Sequence, residues 1–311
     1  MRPLGLALAL SAAIVAAATT TSDRAGAANL ASSRSVVSSV PASLLDSLRG
    51  RSHRLRVRFI NPSRLAAIPL LRELFGDSAG RRAGVLVASA TGTPTDNASV
   101  FHFITMRPFA DKVRGRIGSY RIGFFPGEQR ALRSDSYANP EGFVEITANN
   151  QDTPVSDHFR LRDFITHDQG TVWPKYLVLR EPLVDKLELV IDELRAMGVA
   201  VKNVRVMSGF RTPQYNAQGV GAGGRAQDSR HQFGDAADVY VVNGDRDWMS
   251  DLDGDGRITT RDAQVIAKAA ERVELAHPEF VGGIGIYAAT SAHGPFVHID
   301  VRGKRARWGP M

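Results

Sequence analysis

The stretch SRHQFGDAADVYVV, residues 229–242, constrains this chain more than any other. Gly234 permits a tight turn, and the β-branched run that starts at Asp238 reads as a strand. His231 stands before the turn and Asp238 after it, so the turn can fold an imidazole back beside a carboxylate. Neutral imidazole and carboxylate together suit zinc, at about 2.0–2.2 Å from the ion. A second segment, PFVHIDV at 295–301, also reads as a strand. It puts Phe296, His298 and Asp300 on one face and Val297, Ile299 and Val301 on the other. If it pairs with DVYVV, His298 faces Asp238 across the ladder. Two histidines and one aspartate then leave a position for water, which is the catalytic rather than the structural arrangement of zinc.

The chain has 311 residues, enough for about two domains. Residues 1–27 have a basic start at Arg2, an apolar run from Leu4 to Ala18 and a small-residue AGA at 25–27. This is expected to be a secretory signal peptide, its apolar run being shorter than the roughly 20 residues that span a bilayer. The expected location is secreted or periplasmic, associated with the cell wall, with no membrane attachment after signal removal. Cysteine is absent, which excludes disulfides, thiolate metal ligands and a cysteine nucleophile. Arg2 and Arg24 against Asp23 account for +1 of the formal +7, so +6 remains. A basic exported protein meets anionic partners such as cell-wall polymers. No basic helix or aromatic-basic motif points to nucleic acid.

Residues 28–50, rich in Ala, Ser and Val, read as a linker. From 51 to 155 the segments RLRVRFI, GVLVASA, SVFHFITM, GSYRIGFFPGE and GFVEITANN are strand-like. One short helix is expected around PSRLAAIPLLRELFG. This predicts a small, mostly β domain without evident chemistry. From 156 to 311 the pattern is α+β, a small antiparallel sheet with helices. Leu183, Leu187, Val190, Ile191 and Leu194 fall at helical spacing, with Pro182 in a first turn and Gly198 at the end. VKNVRVMSGF reads as a strand, a second helix is expected at 260–276, and strands near 283–287 and 296–301.

SRHQFGDAAD resembles the S-x-H-x-x-G-x-A-x-D motif of the M15 zinc peptidases, the D-Ala-D-Ala carboxypeptidase family. Ser229, His231, Gly234, Ala236 and Asp238 fill its fixed positions. MSGFRTPQYN resembles the S-G-Y-R-T-P-x-x-N segment before it, and GGIGIY and FVHIDVRGKRARW resemble those that close the fold. The resemblance covers roughly 156–311. It implies zinc on His231, Asp238 and His298, Arg211 as the arginine that contacts substrate or developing oxyanion, and Ser229 at the substrate. One position departs. Many relatives carry an acid three residues before the last zinc histidine as general base, and here that position is Pro295. His293 and Asp300 are the replacement candidates. Asp300 can instead fix an imidazole tautomer.

DLDGDGRITTRD, residues 251–262, resembles EF-hand and dockerin-type calcium loops. Asp251, Asp253 and Asp255 hold positions 1, 3 and 5, Gly256 position 6 and Asp262 position 12, with the Arg257 carbonyl at position 7 and Thr259 at position 9. Position 12 is Asp rather than Glu. The alternative is an acidic solvated turn. The expected function is a secreted zinc metallopeptidase, carboxypeptidase or endopeptidase, that cuts peptidoglycan stem peptides, with Ca2+ as a second, structural ion. The rival, favoured by Pro295, is a non-catalytic zinc-containing protein that binds cell-wall peptides.

Overall fold

The computed structural model describes residues 37–61, 63, 69–76, 84–90, 100–221 and 224–311. The expected signal peptide, 1–27, lies outside them. The expected linker does not hold over its second half. Strand β1 (Val37–Val40) and helix α1 (Ala42–Leu48) lie there. Val40 and Leu45 are apolar enough to be buried, and they join Ile60, Leu71, Phe101 and Phe103 in a small core.

β1 belongs to a four-stranded mixed sheet with β2 (Val57–Ile60), β3 (Gly84–Ala90) and β4 (Val100–Thr105), in the order β1-β3-β4-β2. Of the helix expected in 62–76, the described part is α2 (Pro69–Phe75). The segment at 118–128 is mostly not a strand. It holds half of a two-residue hairpin, β6 (Arg116–Ile117) with β7 (Tyr120–Arg121), and the start of α3 (Pro126–Gln129). Pro126 suits a first helical turn, and Glu128 reaches back to accept the Phe125 N–H.

A three-stranded sheet joins β5 (Arg107–Pro108), β8 (Gly142–Ile146) and β9 (Lys175–Leu177), in the order β5-β8-β9. It therefore crosses the boundary expected near 155. The same hydrophobic core takes Leu55, Ile104 and Phe143 from one side and Leu183, Val239 and Ile299 from the other. The physical reason is α4 (Glu181–Ala196). Its polar face is not left to solvent. Asp185 accepts the N–H groups of Arg51 and Ser52 at 2.7 and 2.9 Å, Glu181 accepts that of Phe59 at 2.7 Å, and Asp192 takes the Arg54 fork. The described residues of 51–155 are thus packed and hydrogen-bonded into the rest, and the described residues of the chain belong to one compact unit.

The sheet that carries the site follows. Its strands are β10 (Asn203–Ser208), β11 (Ala236–Val242), β12 (Gly283–Tyr287), β13 (Phe296–Asp300) and β14 (Ala306–Trp308). The order is β10-β11-β13-β12-β14, antiparallel except where β14 joins β12. α5 (Pro213–Ala217) follows β10, and α6 (Thr260–Ala276) spans the residues expected for it. α6 packs on α4 and covers β12 and β13 from behind. The architecture is mixed α+β, with small sheets and few helices. Among the described residues no helix is long and apolar enough to cross a membrane.

Candidate metal centre

His231 sits in a tight 3-10 turn, Arg230–Phe233, that ends at Gly234. Gly234 is required twice over. Its φ is +67°, and a Cβ there would stand 2.3 Å from the Val178 carbonyl oxygen. Arg230 closes the turn. Its guanidinium forks onto Asp235, with Nε 3.0 Å from Oδ1, and lies 4.8 Å over the rings of both Tyr137 and Phe233. Both partners are buried. Removing one partner of such a pair typically costs about 3–5 kcal/mol. The sequence reading missed this pair, although Arg230 and Asp235 flank the turn that it identified.

β11 pairs antiparallel with β13, and Asp238 lies directly opposite His298. The strand starts at Ala236, two residues earlier than expected, because Ala236 and Ala237 are small enough to be buried opposite Asp300 and Ile299. His231 Nε2 is 3.1 Å from His298 Nδ1. Asp238 Oδ1 lies 3.0 Å from His298 Nδ1 and 3.2 Å from His231 Nε2. All three residues are buried, and the group can hold a metal ion. A tetrahedral ion about 2.0–2.1 Å from each ligand keeps its ligands roughly 3.3–3.4 Å apart. The observed triangle is close to that spacing without rearrangement of the strands.

The outer nitrogens are held as a metal site requires. His231 Nδ1–H donates to the Gly209 carbonyl at 2.6 Å, and His298 Nε2–H to Asp300 Oδ2 at 3.0 Å. With a metal bound, the two inner nitrogens, Nε2 of His231 and Nδ1 of His298, would then offer it their lone pairs. Asp300 is fully buried behind His298. It also accepts the Gly283 N–H at 2.7 Å and the Arg302 guanidinium, while Lys186, bonded to Glu274 at 2.7 Å, donates to its backbone carbonyl. Asp300 does not line the cavity. As a candidate general base it is therefore misplaced: its carboxylate orients an imidazole.

Burial opposes ionisation of Asp238 and Asp300. The adjacent imidazoles, with Arg302 at Asp300, outweigh it and hold both carboxyls well below the usual range. Burial also pulls both imidazoles down. It prevails in His231, whereas hydrogen bonds to Asp238 and Asp300 raise His298.

The three residues line a cavity of about 890 Å³. Arg211 is on its wall, with Nε 2.8 Å from Ser208 Oγ and Nη2 2.6 Å from Asp238 Oδ2. Ser229 lines it where it precedes the His231 turn. His293 lines it too, its Nδ1–H donating to the Gly294 carbonyl at 2.8 Å and its ring edge-on to Phe296. Tyr287 and Trp308 were not identified from sequence. Trp308 Nε1–H donates to the Tyr287 hydroxyl at 2.9 Å, and the indole lies 5.1 Å from the His298 ring. Gly285 makes this possible, since a Cβ there would stand 2.1 Å from Trp308 Cε2. The glycine spacing in GGIGIY was the available signal.

The loop at 251–262 is built differently. The carboxylates of Asp251, Asp253 and Asp255 converge at the surface, where they too can hold an ion. Asp251 accepts the Gly254 and Gly256 N–H groups, each at 2.8 Å, and Gly256 has the positive φ, +79°, expected at position 6. Asp255 accepts the Arg257 N–H at 2.9 Å. Asp262 differs from expectation. It is fully buried and is not one of the three converging carboxylates; its oxygens accept the N–H groups of Leu252 and Thr259 at 2.6 and 2.7 Å and that of Asp253 at 3.4 Å. Thr259 caps α6 by accepting the Arg261 N–H. These two residues close the loop onto the helix.

The chain matches no protein-family model, no curated protein and no solved structure.

Proposed function

We propose that this protein is a secreted zinc metallopeptidase acting on peptidoglycan stem peptides, as carboxypeptidase or endopeptidase, as its resemblance to the M15 peptidases implies. The observation that carries the reading is the buried triangle of His231, Asp238 and His298, preset by Gly209 and Asp300 and open to a cavity of peptide size. Zinc on these three residues would polarise a scissile carbonyl and activate water. Arg211, a fixed charge at the cavity wall, would steady the negative charge that develops on the carbonyl oxygen. Ser229 would contact the substrate backbone. His293 takes the role of base: Nδ1 donates to Gly294, which leaves Nε2 as its basic nitrogen. Calcium on Asp251, Asp253 and Asp255 would brace the start of α6, which supports β12 and β13.

Pro295 and the engagement of Asp300 behind His298 favour a second reading, a zinc-containing protein that binds wall peptides without cutting them. Incubation with purified peptidoglycan separates the two. Zinc-dependent release of D-alanine or of peptides, absent in His231→Ala, is expected. Saturable wall binding with no release would establish the second reading instead.

A further inference from the structure

Five arginines line the cavity, Arg133, Arg211, Arg225, Arg230 and Arg302. Four are already bonded to carboxylates: Arg133 to Asp228, Arg211 to Asp238, Arg230 to Asp235 and Arg302 to Asp300. Among the described residues, Arg225 has no carboxylate partner. It is nevertheless held in place. Its guanidinium lies 4.2 Å over the Tyr215 ring, and Nη1 donates to the Tyr215 carbonyl at 2.5 Å. Its backbone N–H donates to the Gly219 carbonyl at 2.9 Å. A Cβ on Gly219 would stand 2.4 Å from Arg225 Cδ and 2.5 Å from Nε, so glycine there leaves the space that the side chain fills. Only Nη1 is engaged, and the Nε–Nη2 edge, the one that matches a carboxylate in fork geometry, has no hydrogen bond among the described residues.

We infer that Arg225, seated on Tyr215, is a specificity-determining residue that grips a carboxylate of the peptide bound in the metal cavity. The inference rests on the peptidase reading for the nature of the ligand, but its test is binding, so either can fail alone. Three small N-acetylated probes would be titrated by NMR into the zinc-loaded chain, and the same spectra would show whether any probe is hydrolysed. They are N-acetyl-D-alanine, with a terminal carboxylate; N-acetyl-D-glutamic acid α-amide, with a side-chain carboxylate; and N-acetyl-D-alaninamide, with none. Arg225→Gln should weaken at least one acid by about ten-fold or more and the amide by less than about two-fold. Whichever acid loses affinity identifies the source of the carboxylate. Gly219→Ala, which displaces the guanidinium without touching the ligand, should show the same selective loss and carries the test if Arg225→Gln does not fold. Arg225→Lys, with charge but no fork, should be intermediate. Equal losses for acids and amide, no loss, or no binding of either acid by the unaltered chain would overturn the assignment.

Discussion

His231, Asp238 and His298 on one side, and Asp251, Asp253 and Asp255 on the other, are both triplets of ligand-bearing side chains. The first is buried, and its members come from a turn and two paired strands 60 residues apart along the chain. Each histidine is fixed from behind by a second group. The second triplet is exposed and comes from five consecutive residues. It is held by N–H groups of the same loop. The spacing of the buried triplet is set by the sheet that pairs β11 with β13. The exposed one is set by local turns and screened by water, so its repulsion is modest and an ion there can be lost without loss of the fold.

This contrast can be broken in several ways. The largest effect is expected from the simultaneous replacement of His231, Asp238 and His298 by alanine, which should abolish zinc binding by metal analysis and leave calcium binding intact. Undiminished zinc in that variant would remove the buried site. Next, Arg211→Lys should lose roughly 10²-fold in kcat with folding little changed, since a point charge replaces a fork. Full activity would place the substrate elsewhere.

Asp300→Asn should weaken zinc by about 10–100-fold, read by competition with a chelator. It also tests the pH dependence of the metal-free protein. Folding holds the carboxyls of Asp238 and Asp300 below their unfolded values. As pH falls below about 5, the unfolded chain therefore binds protons first, and stability declines. Asp300→Asn should flatten that decline between pH 7 and 3, and a melting curve equally steep in the variant would contradict the role of Asp300.

For the exposed triplet the effects are smaller. Calcium at about a hundredfold excess over its Kd should stabilise the native state by about 2.7 kcal/mol. Asp253→Ala with Asp255→Ala should erase that shift in melting temperature and leave zinc content unchanged. If saturating calcium does not move the melting temperature of the zinc-loaded chain, the loop is an acidic turn. Smallest of all, Thr259→Ala should cost about 1 kcal/mol through loss of the α6 cap, with calcium affinity preserved. A loss of affinity would instead make Thr259 a ligand.

Much of the buried site was legible before the fold was known. A strand alternates its faces, so His298 and Asp300 had to share one, and pairing with β11 could then bring His298 to Asp238. Local chemistry also determined α4, with Pro182 at its start and Gly198 beyond its end, and α6 between Thr260 and Ala276. What the sequence could not decide was which polar groups would lie behind the ligands and which would face the cavity. Asp300 and His293 looked equivalent as bases until the register of β12 against β13 brought the Gly283 N–H onto Asp300, beside the neighbouring Arg302. Likewise nothing local shows that Asp185 in α4 receives the backbone of Arg51, or that, among the described residues, Arg225 alone of the cavity arginines lacks a carboxylate. Periodicity is fixed by the backbone of each segment and can be read one segment at a time. Where the partner of a buried charge lies far off in the chain, it is whichever group the rest of the fold delivers, and that choice belongs to the tertiary structure alone.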